Sequence, residues 1–128
     1  MLLELPPVAK GRPRFGNGRT FTPKKTKDFE DRARQLMTAQ FFMVPLEGPL
    51  RVELSFMFEK PKRAKHETLH IVRPDLDNLI KSVCDAAVGI VYVDDAQVCE
   101  ILAKKVYCKE GTSPRILFSV TSIDYQPK

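Results

Sequence analysis

Leu50-Arg51-Val52-Glu53-Leu54-Ser55-Phe56-Met57-Phe58 changes side-chain character at almost every step. Val52, Leu54, Phe56 and Phe58 fall on one side of an extended chain, and Arg51, Glu53, Ser55 and Met57 on the other. A period of two marks a strand with one face in a core and one toward water, so the pattern predicts a half-buried strand over residues 50–58. On either side of it the period becomes helical. Upstream, Phe29, Ala33, Leu36, Met37 and Phe41 make one apolar stripe on a helix expected from about Lys24 to Met43 and ended by Pro45 and Gly48-Pro49. Downstream, Leu76, Leu79, Ile80, Val83, Cys84 and Ala87 mark a second helix from about Asp75 to Val88. Pro74 stands just ahead of it, Asp75 and Asp77 lie in its first turn, and Gly89 is a candidate C-cap.

The remaining segments complete the order. Residues 1–5 read as a short edge strand stopped by Pro6-Pro7. Residues 9–23 form a loop rich in glycine and basic residues that turns at Gly16-Asn17-Gly18, and residues 59–73 a polar, basic loop. Residues 90–93 suit a short apolar strand or turn. Residues 97–108 and 115–123 read as two more strands, joined as a hairpin by residues 109–114. The expectation is an α+β domain in β-α-β-α-β-β order, with two main helices over a small mixed sheet of about four strands. The 128 residues fit a single domain.

Composition narrows the partners. The net charge is +5, with seven lysines and arginines against Glu4 alone over residues 1–27, and Lys60, Lys62, Arg63 and Lys65 over residues 60–65. Acids gather elsewhere, at Asp75, Asp77, Asp85, Asp94 and Asp95. A basic surround with an acidic centre suits an enzyme that grips phosphates and holds a metal. Apolar runs are too short for a membrane span, and residues 1–4 have no signal-peptide character. Cys84, Cys99 and Cys108 are odd in number and lack CxxC spacing, which points to small core residues in a reducing cytoplasm.

The chemistry concentrates in Arg73-Pro74-Asp75-Leu76-Asp77-Asn78-Leu79-Ile80-Lys81 and, further on, Val93-Asp94-Asp95-Ala96-Gln97-Val98. Mg²⁺ takes hard oxygen ligands, and phosphodiester hydrolysis commonly uses two such ions about 4 Å apart. Asp75 and Asp77, two apart at a helix entrance, can point the same way, and one of Asp94 and Asp95 is brought alongside when the chain returns. Lys81 follows Asp77 by four residues on the same helix face, placed to orient water or steady charge on a phosphate. Asn78 can hold a ligand carboxylate or cap the helix. Each acidic pair taken alone reads equally as helix capping or a turn. The phosphate-contact candidates are Lys10, Arg12, Arg14, Arg19, Lys24, Lys62, Arg63 and Arg73. Phe15 and Phe21 either stack on DNA or tuck into the core. Lys104, Lys105, Lys109 and Arg115 are expected to face solvent.

The gap-free stretch RPDLDNLIKSVCDAAVGIVYVDDAQV, Arg73 to Val98, resembles the signature of the RusA-type Holliday junction resolvases, small dimeric endonucleases common in phages and prophages. The segment GRPRF…GRTFTP and the alternating strand resemble the phage-type branch. The resemblance implies catalytic, metal-holding aspartates at Asp75, Asp77 and Asp95, choosing between Asp94 and Asp95 where spacing leaves both open, and a catalytic lysine at Lys81. It implies a homodimer using Mg²⁺, with Mn²⁺ as a substitute and no organic cofactor, on four-way DNA junctions. Two opposed strands are nicked to leave 5′-phosphate and 3′-hydroxyl ends. A broader flap or branch nuclease and a non-catalytic branched-DNA binder are the rival readings. The HExxH pattern at residues 66–70 matches zinc proteases, but Pro61 and Pro74 flank it closely and the chain has only 2 histidines. His70 in a basic loop near the DNA is the better account.

Overall fold

The alternating strand sits in the middle of the sheet. In the computed structural model, which describes residues 1–12, 14–64 and 68–124, β1 (Leu2–Leu3), β2 (Arg14–Gly16) and β3 (Arg19–Phe21) precede α1 (Lys24–Gln40). β4 (Leu50–Phe58), α2 (Leu76–Ala87), β5 (Val98–Tyr107) and β6 (Arg115–Ser122) follow. The main sheet has the order β1-β6-β4-β5, with β5 parallel to β4 and the other neighbours antiparallel. The expected α+β class and mixed four-stranded sheet are therefore present. His66 and Glu67 of the HExxH pattern and Lys65 lie outside the described residues, as do the side chains of Arg14 and Phe21.

Leu50, Val52, Leu54 and Phe56 of β4 are buried together with Ile116 and Phe118 of β6. Phe29, Ala33 and Met37 of α1 and Leu79, Val83 and Ala87 of α2 close over them in one apolar cluster. The opposite face is open and carries the Arg51–Glu100 ion pair at 2.6 Å. Phe56→Ala would leave a void in the close-packed inner layer. It is expected to lower unfolding stability by about 3–5 kcal/mol, read as a fall in the urea midpoint at unchanged slope.

Three expectations change. Residues 97–108 and 115–123 are not a hairpin: β5 and β6 lie on opposite edges of β4, and residues 108–114 cross its end. β4 has an apolar inner face along its whole length and takes a partner on each side, so nearness in sequence does not decide adjacency. Helix α1 stops at Gln40, not Met43; Phe41 is extended and gives its N–H to the Met37 carbonyl at 2.8 Å. Pro45 disfavours helical backbone just before it, and Gln40 is engaged with both backbone groups of Leu2. Of the three cysteines, Cys84 and Cys108 are buried but Cys99 is exposed.

The loop of residues 9–23 contains an element the sequence reading does not resolve. β2 and β3 pair through Asn17 and Gly18, at φ 53° and 77°, the left-handed geometry of a tight hairpin turn. The breadth of apolar surface on α2 is covered within the chain, by the sheet on one side and α1 on another. Arg34 of α1 fastens the two helices by donating to the carbonyls of Ala86 and Val88 at 2.9 and 2.8 Å, where α2 ends. Among the described residues no helix is long and apolar enough to cross a membrane.

Candidate active site

Helix α2 and the chain that returns beside it bring Asp95 next to Asp85. Asp75 is the N-cap of α2, in extended backbone, with no side-chain capping bond, so its carboxylate is free of that structural task. Arg73 Nη1 lies 3.9 Å from Asp75 Oδ2 and is 90 % exposed. Asp77 occupies the first turn of α2 and is exposed, as is Asn78, whose carbonyl accepts the Lys10 N–H at 3.0 Å. Asp77, Lys81 and Asp85 follow one another at four-residue steps along a single helix face. Lys81 Nζ lies 3.9 Å from Asp85 Oδ2.

The return is tight. Gly89, at φ 82°, reverses the chain, with its N–H to the Tyr92 carbonyl at 2.7 Å and the Val91 N–H to the Ala87 carbonyl at 2.9 Å. Buried Tyr92 then donates its hydroxyl to the Cys84 carbonyl at 2.7 Å and pins the segment against α2. The Asp-Asp pair follows at once, and its two members differ. Asp94 caps the one-turn helix Asp95–Gln97 in a capping box: its Oδ1 accepts the Ala96 N–H at 3.1 Å while its own N–H donates to Gln97 Oε1 at 2.8 Å. That bond holds the Asp94 carboxyl below the ordinary range. Asp95 projects instead toward α2. Its hydrogen bond with Asp94, then partial burial, then Asp85 hold its carboxyl above the ordinary range. The backbone thus gives Asp94 a capping task that Asp95 does not share.

A family model described as endodeoxyribonuclease RusA matches residues 4–120. The chain belongs to the RusA family. This places it among DNA endonucleases. It is also 32 % identical over 125 residues to the uncharacterized protein YqaN of Bacillus subtilis (strain 168), a match covering 86 % of each chain.

Within this RusA fold the basic residues divide. Arg12, Arg19, Lys24, Lys62 and Arg63 are exposed, and Phe15 in β2 is 77 % exposed rather than buried in the core. Lys10 points inward instead, bonded to Glu30 and 3.4 Å from Asp85 Oδ2. His70 is buried, stacked on Phe58 with ring centroids 4.0 Å apart, and its Nδ1 has no hydrogen-bond partner among the described residues. Burial, then the Lys105 charge, lower its proton affinity, which favours a neutral ring.

Sequence reasoning missed two residues here. Lys105, expected to face solvent, lies opposite Phe56 on the inner face of the sheet and donates to the carbonyls of Val72 and Pro74 at 2.7 and 2.8 Å. It anchors the loop that delivers Asp75. Asp85 is the other, and its four-residue step from Lys81 was the available signal.

Carboxylate oxygens are the donors a hard divalent cation takes, and the carboxylates beside Asp95 are those of Asp94 and Asp85. Asp77 and Asp85 are two helical turns apart, roughly 12 Å along the axis. Among the described residues no three acidic, histidine or cysteine side chains close on a single point as they stand.

Proposed function

We propose that the chain is a Holliday junction resolvase: a homodimeric, Mg²⁺-dependent endonuclease that nicks two opposed strands of a four-way DNA junction. The observation that carries the reading is the division of labour at residues 94–95, where Asp94 caps a turn and Asp95 lies beside Asp85 of α2, in a chain of a DNA endonuclease family. Asp75, Asp77 and Asp95 would hold Mg²⁺, or Mn²⁺ in its place, once their side chains turn toward a common point. The ion would supply activation of water and neutralisation of phosphate charge. Lys81 sets its ammonium over the scissile phosphate and steadies the charge that develops on it. Water adds to phosphorus, the bond to the 3′ oxygen breaks, and a 5′-phosphate and a 3′-hydroxyl remain.

The exposed cations Arg12, Arg19, Lys24, Lys62, Arg63 and Arg73 grip neighbouring phosphates, Arg14 extends the same hairpin, and Phe15 is presented for stacking. A junction has approximate two-fold symmetry and needs two cuts, which a C2 dimer supplies. The first half of β5 suits such a contact: residues 68–70 cover its outer edge only at Lys105–Tyr107, and Ile101 and Leu102 are 46 % and 68 % exposed. The setting is the cytoplasm of a bacterial or phage-infected cell.

The test is a comparison of cleavage rates on a four-way junction, a flap, a fork and a linear duplex of matched length. The junction is expected to be cut fastest; equal rates on the flap would reassign the protein to the broader branch nucleases. Binding should also register the basic hairpin. Arg12→Ala combined with Arg19→Ala is expected to weaken binding to every DNA shape. The plot of log affinity against log salt should flatten by about one unit for each phosphate no longer neutralised. An unchanged slope would remove the hairpin from the DNA interface.

A further inference from the structure

Asp85 stands at the meeting point of three charged groups, and nothing in the hydrolytic scheme above uses it. Its Oδ2 lies 3.4 Å from Lys10 Nζ and 3.9 Å from Lys81 Nζ, and its carboxyl faces that of Asp95. Asp85 and Lys10 are both mostly buried, with side-chain exposures of 23 % and 21 %, whereas Lys81 is 61 % exposed. Charges that far from water interact more strongly than surface pairs and stay put.

Lys10 is itself fixed at several points. Its ammonium also bonds Glu30 of α1, and its N–H bonds the Asn78 carbonyl in the first turn of α2. The next residue, Gly11, gives its N–H to the buried hydroxyl of Thr26 at 2.9 Å. A Cβ at position 11 would come within 2.8 Å of that hydroxyl, so a larger residue there would force Thr26 or the backbone to shift. The root of the basic loop is thus bonded to α1 and α2 immediately before it departs toward the hairpin. Partial burial opposes the charge on Lys10, but Glu30 and Asp85 outweigh it and raise its proton affinity, so the ammonium is retained.

We infer that Asp85 is a positioning residue for the hydrolytic site: held by Lys10 from behind, it sets Lys81 and Asp95 in fixed relation to each other. Lys81 has a four-carbon stem and an exposed end, and without a partner its ammonium would sample many positions. Asp85 supplies the partner. A second carboxylate against Asp95 would ordinarily repel it, and Lys10 offsets that charge from the interior side. The same contact ties the DNA-gripping loop to the cutting centre.

This inference rests on the site assignment proposed above, and its test separates the two. Wild type, Asp85→Asn, Lys10→Met, Lys10→Arg and the Lys10→Met/Asp85→Asn double variant are compared in junction cleavage and in Mn²⁺ titration of the free protein by calorimetry. Asp85→Asn and Lys10→Met are each expected to lower kcat about tenfold at a KM within about twofold of wild type, because the reacting groups are misaligned while DNA binding is kept. The double variant should be no slower than the worse single variant, since both break one contact. Lys10→Arg keeps the charge and should recover most of the rate. Mn²⁺ affinity should move in opposite directions, tighter for Lys10→Met, which removes a nearby cation, and weaker for Asp85→Asn, which removes an anion. A purely structural defect would weaken both. If wild type cuts no DNA, the functional reading fails and the opposed Mn²⁺ shifts still decide the inference. If wild type cuts and Asp85→Asn retains its kcat, or the two single effects multiply in the double variant, the inference is overturned alone.

Discussion

Asp75→Asn is expected to lower junction cleavage by on the order of a thousandfold or more, while the protein still folds and still binds the junction. On the proposed assignment the change removes a charged metal ligand, which takes away several kcal/mol of transition-state stabilisation, and each 1.4 kcal/mol or so is a factor of about ten. The fold should not register the change. Asp75 makes no side-chain capping bond, its Arg73 contact is a surface pair at 3.9 Å, and asparagine is as good an N-cap as aspartate. Binding should persist or tighten, because one carboxylate fewer faces the phosphates. Gel-shift titration and single-turnover cleavage on the same preparation read both quantities. Cleavage that survives the substitution in purified protein would displace the site from the entrance of α2.

Lys81→Met is expected to cost about a hundredfold in kcat with little change in KM, the signature of a group whose charge matters most in the transition state. The side chain is exposed and its pairing with Asp85 at 3.9 Å is long, so the thermal midpoint should stay within a degree or two of wild type. A large fall in junction affinity with kcat preserved would make Lys81 a phosphate grip instead. The two substitutions complement each other: Asp75 tests the proposed metal-holding side of the site, and Lys81 the side proposed to act without the ion.

Much of this is legible in the sequence because the governing signals are local. The period of two in residues 50–58 is strong enough to identify β4, and the apolar spacing of α2 places it to within a residue at each end. Pairing is not legible. β5 and β6 are joined by a short connection, yet tertiary packing puts them on opposite edges of β4, and nothing local records that choice. Cations are legible as charge but not as partners. Lys10 reads as a phosphate contact yet lies between Glu30 and Asp85; Lys105 reads as solvent-facing yet holds the Val72 and Pro74 carbonyls. Both placements depend on segments far apart in the chain.

The site divides in the same way. Asp77 and Lys81 can be related by helix spacing and Asp75 to Asp77 by the extended helix entrance, whereas the preference for Asp95 over Asp94 comes from family resemblance. In the structure the capping box engages Asp94, while Asp95 meets Asp94 and Asp85. Asp85 stays hidden in the sequence because an acid four residues after a lysine is ordinary on any solvated helix. Only the placement of Lys10 and Asp95 around it distinguishes it.

The most direct measurement is strand mapping on a four-way junction labelled in turn on each strand, incubated with wild-type protein in Mg²⁺ or in a chelator, beside a linear duplex of the same sequence. The account predicts paired nicks on two opposed strands, ends that ligase reseals, no cleavage in the chelator, and little or none on the duplex. Cutting of the duplex at the junction's rate, or cutting that continues in the chelator, would contradict it.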